Sequence, residues 1–253
     1  FGDGTGSSAR TSPGYQYATS GIYAVTLTST SNKGCRDSLS LNDTVFALPL
    51  PSFSANNVCL GDSTQFSNNS SNTTFYQWKY GDGNNSTSAQ KKHLYATSGT
   101  YTAILVAESV EGCLDSTSRT ISVYSLPKVS FTSGDVCHGD SSTFVNGSSN
   151  ANSYLWTFRK GAISTINSPK FLFSNTGEKT VKLVATNANG CVDSTELKHQ
   201  VFELPNASFS ANDTCLGDTT FFRNNSSSEA SRLWNFGDGT TSNLRQPRIV
   251  FTN

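Results

Sequence analysis

WKYGDG at 78–83 decides how this chain reads. The stretch returns as WNFGDG at 234–239, and its tail, FGDG, stands at 1–4. Midway, WTFRKG at 156–161 keeps the Trp and the last Gly but loses the Gly-Asp pair. Trp78, Trp156 and Trp234 are 78 residues apart. Working outward, the six cysteines Cys35, Cys59, Cys113, Cys137, Cys191 and Cys215 alternate in gaps of 24 and 54, again a period of 78. Leu48, Leu126 and Leu204 keep that step, each followed by Pro, and so do Phe66, Phe144 and Phe222. A fixed period over so many positions marks a repeat architecture.

The period divides the chain into two whole units, 48–125 and 126–203. Before them lies the C-terminal part of a unit, 1–47, and after them the N-terminal part of another, 204–253. The expectation is a segment of a longer periodic protein. Charged residues make up 14% and the net charge is zero, which argues against nucleic acid and against a polybasic membrane patch. No run of about 18 apolar residues spans a bilayer. Aromatics at 11% separate the chain from polar disordered sequences.

Within one unit, SFSAN, STQFSN, TFYQWKY, GTYTAILVAES and STSRTISVY read as strands. Gly61-Asp62, GDGNNS and Gly112-Cys113 read as turns. Tyr101, Ala103 and Leu105 fall on one face. Short strands with turns every 8–12 residues or so indicate an all-β sandwich.

The element W-x-[FY]-G-D-G, followed by GIYAVTL at 21–27 or GTYTAIL at 99–105, resembles the polycystic-kidney-disease (PKD) repeat. The resemblance implies tandem immunoglobulin-like β-sandwiches arranged head to tail as a rod. The added pattern C-x-G-D-x-x-x-F-x-N-x-S with G-C-x-D-S resembles repeats of secreted surface adhesins and gliding-motility filaments of Bacteroidota. It implies a non-catalytic segment of an extracellular fibre or cell-surface adhesin, acting as rigid spacer units. The alternative is an accessory binding module of a secreted polysaccharide- or protein-degrading enzyme. Implied partners are neighbouring units of the same chain, identical chains in a fibre, and an unidentified extracellular polysaccharide or other substrate.

On that fold, Trp78, Trp156 and Trp234 with Phe66, Phe144 and Phe222 are core residues. Tyr23 and Tyr101 stand where a tyrosine corner opens strand F. Lys179 takes that place in the third copy, whose corner must be held differently. Asp3, Asp82 and Asp238 read as turn aspartates bonding their own backbone. Calcium in individual units is the alternative, set against the Lys160 that replaces the Asp in one copy. No other cofactor is expected. His93, His138 and His199 share no repeat phase and read as surface residues.

Paired, periodic cysteines imply an oxidising exterior. Phe66 holds the strand B position where antibody domains place a cysteine. Cys59 precedes the A–B turn and Cys113 lies in the F–G turn, at opposite poles of such a sandwich. Poles roughly 30 Å apart exceed the ~7 Å Cα limit of a disulfide. Head-to-tail stacking then pairs Cys59 with Cys191 across a joint, and Cys35, Cys113, Cys137 and Cys215 with units outside the segment. A Cys59–Cys113 bond stays open if strand A is irregular. The family resemblance further implies O-glycosylation at Asp-Ser/Thr triplets, with acceptors Ser38, Thr44, Ser63, Ser116, Ser194 and Thr219. Asn-x-Ser/Thr sequons such as those at Asn68, Asn72 and Asn224 mark exposed loops.

Overall fold

Strands make up all the regular structure of the computed structural model, which describes residues 1–11, 13–87, 92–159 and 161–252. The chain divides into two compact units, Phe1–Ser125 and Leu126–Asn253.

In the first unit, β1 (Gly21–Thr30) and β2 (Arg36–Val45) form a hairpin. There follow β3 (Phe53–Ala55), β4 (Val58–Cys59), β5 (Ser63–Asn68), β6 (Phe75–Lys79), β7 (Asn85–Ser86), β8 (Lys92–Leu94), β9 (Gly99–Glu108) and β10 (Leu114–Tyr124). One sheet runs β3-β5-β8 and the other β4-β10-β9-β6-β7. The alternation at 101–107 now has its cause. Ala103, Leu105 and Ala107 are fully buried while their neighbours face outward, since successive side chains on a strand point to opposite faces. Phe53 and Phe66 from one sheet meet Trp78 from the other, edge to face at 5.2 and 5.4 Å.

Strand A is broken. Its first part, β3, pairs with β5, while β4 pairs in parallel with the end of β10, Val58 opposite Val123 and Cys59 opposite Tyr124. The strand expected from SFSAN is β3, and β4 follows it as a separate two-residue strand in the other sheet.

The second unit repeats this plan with β11 (Phe131–Ser133), β12 (Val136–Cys137), β13 (Ser141–Asn146), β14 (Ser153–Arg159), β15 (Ala162–Ser164), β16 (Lys170–Leu172), β17 (Gly177–Thr186) and β18 (Val192–Phe202). Its sheets are β11-β13-β16 and β12-β18-β17-β14-β15. Phe131 and Phe144 stand 4.9 and 5.8 Å from Trp156. The altered WTFRKG stretch shows a bulge between Thr157 and Arg159, with Arg159 opposite Ala162. A bulge of this kind re-aims a strand end; Lys160 itself lies outside the described residues.

The same unit ends with β19 (Phe209–Ala211), β20 (Thr219–Asn224), β21 (Trp234–Asn235), β22 (Thr241–Ser242) and β23 (Arg248–Val250). They form a β19-β20-β23 sheet and a β21-β22 pair. Phe209, Phe222 and Trp234 keep the aromatic arrangement of the other copies, at 5.3 and 5.6 Å from the Trp ring. Phe209 is nonetheless 62% exposed, against 8% for Phe53 and for Phe131.

Candidate functional site

The cysteines sit where β10 and β18 begin and end. Cys113 directly precedes β10, and Cys59 lies beside its last residue. Cys191 directly precedes β18, and Cys137 lies beside its last residue, Phe202. At about 3.3 Å per residue, the ends of either strand are roughly 33 Å apart. No disulfide spans that within one sandwich, so the alternative Cys59–Cys113 pairing is excluded by the fold of the unit. Cys59 and Cys191 are each disulfide-bonded, while Cys35, Cys113, Cys137 and Cys215 form no disulfide among the described residues.

The GDG segments are Asx turns. The backbone N–H groups of Thr5, Asn84 and Thr240 donate to Asp3, Asp82 and Asp238 at 3.0, 3.0 and 2.8 Å. Tyr15 and Thr5 also donate to Asp3, and these bonds hold its carboxyl at about 2. Around Asp82, burial works to raise the carboxyl. Hydrogen bonds from His93, at 2.7 Å, and from Asn84 outweigh it and leave the group below its ordinary value. Among the described residues no group of three or more His, Cys, Asp or Glu is placed to hold a metal ion.

The tyrosine corner is present where the sequence placed it. Tyr23 donates to the Thr19 carbonyl at 2.7 Å, and Tyr101 to that of Thr97 at 2.8 Å. In the third copy the Lys179 ammonium donates to the Thr176 carbonyl at 2.7 Å. A cation on a long stem thus does the work of a phenol at the same corner.

The histidines depart from the surface reading. His93 is half-buried and stacks on Tyr80 at 3.9 Å. His138 is half-buried too, with its Nε2 3.2 Å from the Ser174 carbonyl. His199 is a core residue, 1% exposed, at the position that Ile121 fills in the other sandwich. Its ring nitrogens lie 2.7 Å from the Ser142 hydroxyl and 3.3 Å from that of Ser133, with Asp135 at 3.9 Å. No periodic signal betrayed this, because the other copies carry different residues there.

Burial pushes the His199 imidazole below its ordinary value, and Asp135 offsets only part of that. The unfolded chain therefore binds the proton more readily. His199 contributes fully above the unfolded value of about 6.5 and loses that contribution as pH falls below it. The second sandwich is expected to melt at lower temperature at pH 5.5 than at pH 7.5. A His199→Ile variant, copying Ile121, should flatten that dependence, read by hydrogen exchange of β17 and β18 at both pH values.

The candidate acceptors lie on strands, with Asp62 and Asp218 in the turns that lead into β5 and β20. Ser38, Thr44, Ser116 and Ser194 are exposed, and Ser63 and Thr219 are half-buried at the starts of β5 and β20. Asp37, Asp115 and Asp193 each accept from the next residue's N–H at 2.7–2.9 Å.

The family described as PKD domain matches residues 1–47 and 48–124. Residues 1–124 belong to the PKD domain family. The second unit repeats the PKD plan with the same strand order and the same aromatic positions. The chain is similar to the PKD1 domain of the Vibrio cholerae metalloprotease PrtV, at 30% identity over 30% of this chain and 96% of that one (TM-score 0.28). It is also similar to the PKD1 domain of Vibrio anguillarum Epp, at 25% identity over 31% and 96% (TM-score 0.29). A third likeness, at 12% identity over 90% and 72% (TM-score 0.33), is to a calcium-stabilised adhesin with which an Antarctic bacterium binds ice. No curated protein matches the chain. The matching family is not a catalytic one.

Proposed function

We propose that this chain is a spacer segment of an extracellular fibre or cell-surface adhesin. Its PKD units, bounded at 47/48, 125/126 and 203/204, follow one another as rigid members of a rod. Cys59 pairs with Cys191 to staple one joint, and Cys35, Cys113, Cys137 and Cys215 pair with units beyond the segment. The observation that carries this reading is the placement of the cysteines at opposite ends of β10 and β18, together with the oxidised state of Cys59 and Cys191. A link that cannot close within a sandwich serves to join sandwiches. Pro49, Pro127 and Pro205 stiffen the short joints. Glycans at the exposed Ser38, Thr44, Ser116 and Ser194, and at Ser63 and Thr219, would clothe such a fibre.

The reading as an accessory binding module requires a strip of exposed aromatics. The repeating aromatics Phe53, Phe66 and Trp78 are instead buried.

Mass spectrometry of an unreduced digest tests the staple. A cross-linked Cys59–Cys191 peptide is expected, and free thiols at both positions would sink it. Small-angle scattering before and after reduction tests the rod. Reduction, or a Cys59→Ser change, is expected to shorten the mean end-to-end distance; an unchanged curve means the joints are not held by the bond.

A further inference from the structure

One irregularity recurs at a fixed place in the two complete sandwiches. Asn72 and Asn150, 78 residues apart, have φ of 51° and 54°. A left-handed backbone is costly for a residue with a Cβ, and glycine is its usual occupant. Glycine stands at neither position, so the asparagine side chain must supply something that offsets the strain.

Its hydrogen bonds show what that is. The Asn72 amide donates to the carbonyls of Ala47 and Leu48 at 3.2 and 3.0 Å. The Asn150 amide donates to the carbonyl of Leu126 at 3.1 Å. Leu48 and Leu126 open the two complete repeats, each just before a buried proline, Pro49 or Pro127. Each asparagine closes a loop, NNSSN at 68–72 and NGSSN at 146–150.

The rest of the loop grips the same incoming segment. Lys128 and Ser149 exchange two backbone hydrogen bonds at 3.0 Å, and Leu50 and Ser71 two at 2.9 and 3.1 Å. The Ser148 hydroxyl accepts from the Ser130 N–H and donates to the Ser130 carbonyl, both at 3.2 Å. Ser70 treats Ser52 in the same way, at 3.1 and 3.3 Å. Asn146 accepts from the Ser148 N–H at 2.9 Å, and Asn68 from that of Ser70 at 3.0 Å, which keeps each loop in shape. The backbone pairs merely extend the β11–β13 and β3–β5 ladders. The amide clamp belongs to no ladder, and a loop that only had to turn the chain between β13 and β14 would not need it.

We propose that the Asn-x-Ser-Ser-Asn loop is a joint lock, which makes the Leu-Pro connector a rigid part of the sandwich that follows it. A single residue, Ser125, then separates Tyr124, the last of β10, from the clamped Leu126. One residue spans at most about 3.6 Å, so the connector has almost no reach of its own. The inference stands on these bonds and on the sandwich fold. It holds whether or not a disulfide staples the joint, and whether or not the chain serves as a spacer.

Double electron–electron resonance on the full chain tests it, with all disulfides reduced so that no staple contributes. Spin-labelled unnatural side chains at Ser118 and Glu196 report the distance across the joint; both positions are exposed and they stand 78 residues apart. The wild type is expected to give one narrow distance peak. Asn150→Gly keeps the left-handed backbone and removes the amide. Asn150→Asp keeps the size of the side chain, but its carboxylate cannot donate. Each should replace the narrow peak with a broad one, while hydrogen-exchange protection of β17 and β18 stays at the wild-type level. Asn72→Gly, in the loop of the other sandwich, should leave the peak narrow. A wild-type peak as broad as that of the Asn150 variants, or Asn150 variants as narrow as the wild type, would overturn the proposal. So would broadening that comes only with lost protection of β17 and β18, since a weakened sandwich would then explain it. None of these results bears on the Cys59–Cys191 pairing, which the unreduced digest decides separately.

Discussion

Replacing Trp156 with alanine is expected to destabilise the second sandwich by about 3–5 kcal/mol, the usual cost of emptying a large aromatic site. The ring is fully buried. It packs edge-on against Phe131 and donates its indole N–H to the Ile166 carbonyl at 2.9 Å. Together with Phe158 it is the contact through which β14 meets β11 and β13 of the facing sheet. A domain's whole stability is only about 5–15 kcal/mol, so the loss removes a large part of it. The same change at Trp234 should cost less, since that ring lies along an open groove and is only half-buried. Hydrogen exchange of peptides from β17 and β18, against those from β20, measures both within one chain. Equal losses at the two positions would mean that burial does not set the cost.

The second large effect concerns the GDG turn. Gly81→Ala is expected to be severely destabilising, whereas Gly237→Ala and Gly83→Ala should cost only the left-handed backbone penalty of about 1–2 kcal/mol. All three glycines have φ between +86° and +92°. At Gly81 the new methyl would also stand 2.6 Å from the Thr102 carbonyl. The Thr102 carbonyl belongs to the backbone of β9 and cannot swing aside as a side chain would. Overpacking of this kind adds about 1–3 kcal/mol. Exchange protection of β9 should fall for Gly81→Ala and hold for Gly83→Ala. If Gly81→Ala were no worse than Gly83→Ala, the close approach of the turn to β9 would be wrong.

Much of the fold was legible because the repeat states each rule several times over. Phe66, Trp78 and Leu105 occupy alternating positions on strands, and the period singles them out from the other aromatics. The turn role of Asp82 could be read from Asp-Gly chemistry alone. His199 was not legible. Its burial depends on Ser142 and Ser133 offering hydroxyls from the facing sheet, and neither the residue nor its partners repeat as such. The two-residue β4 and β12 were equally hidden. Their pairing with β10 and β18 is long-range and parallel, and so short a segment has no period to detect.

The sequence by itself determined the main strands, the turns between them and the repeating inward residues such as Phe66, Trp78 and Leu105, because side-chain alternation and turn chemistry are local properties written into each 78-residue copy. Only the tertiary structure decided which of those inward faces are covered. Leu105 is fully buried in a cluster with Phe53 and Phe66 of the facing sheet. Burial is a property of the pair of surfaces that meet, and a strand pattern specifies only one of them. The break in strand A had to come from the structure for the same reason. It places Cys59 beside Tyr124, a full strand length from Cys113, and that distance determines which cysteines can be joined.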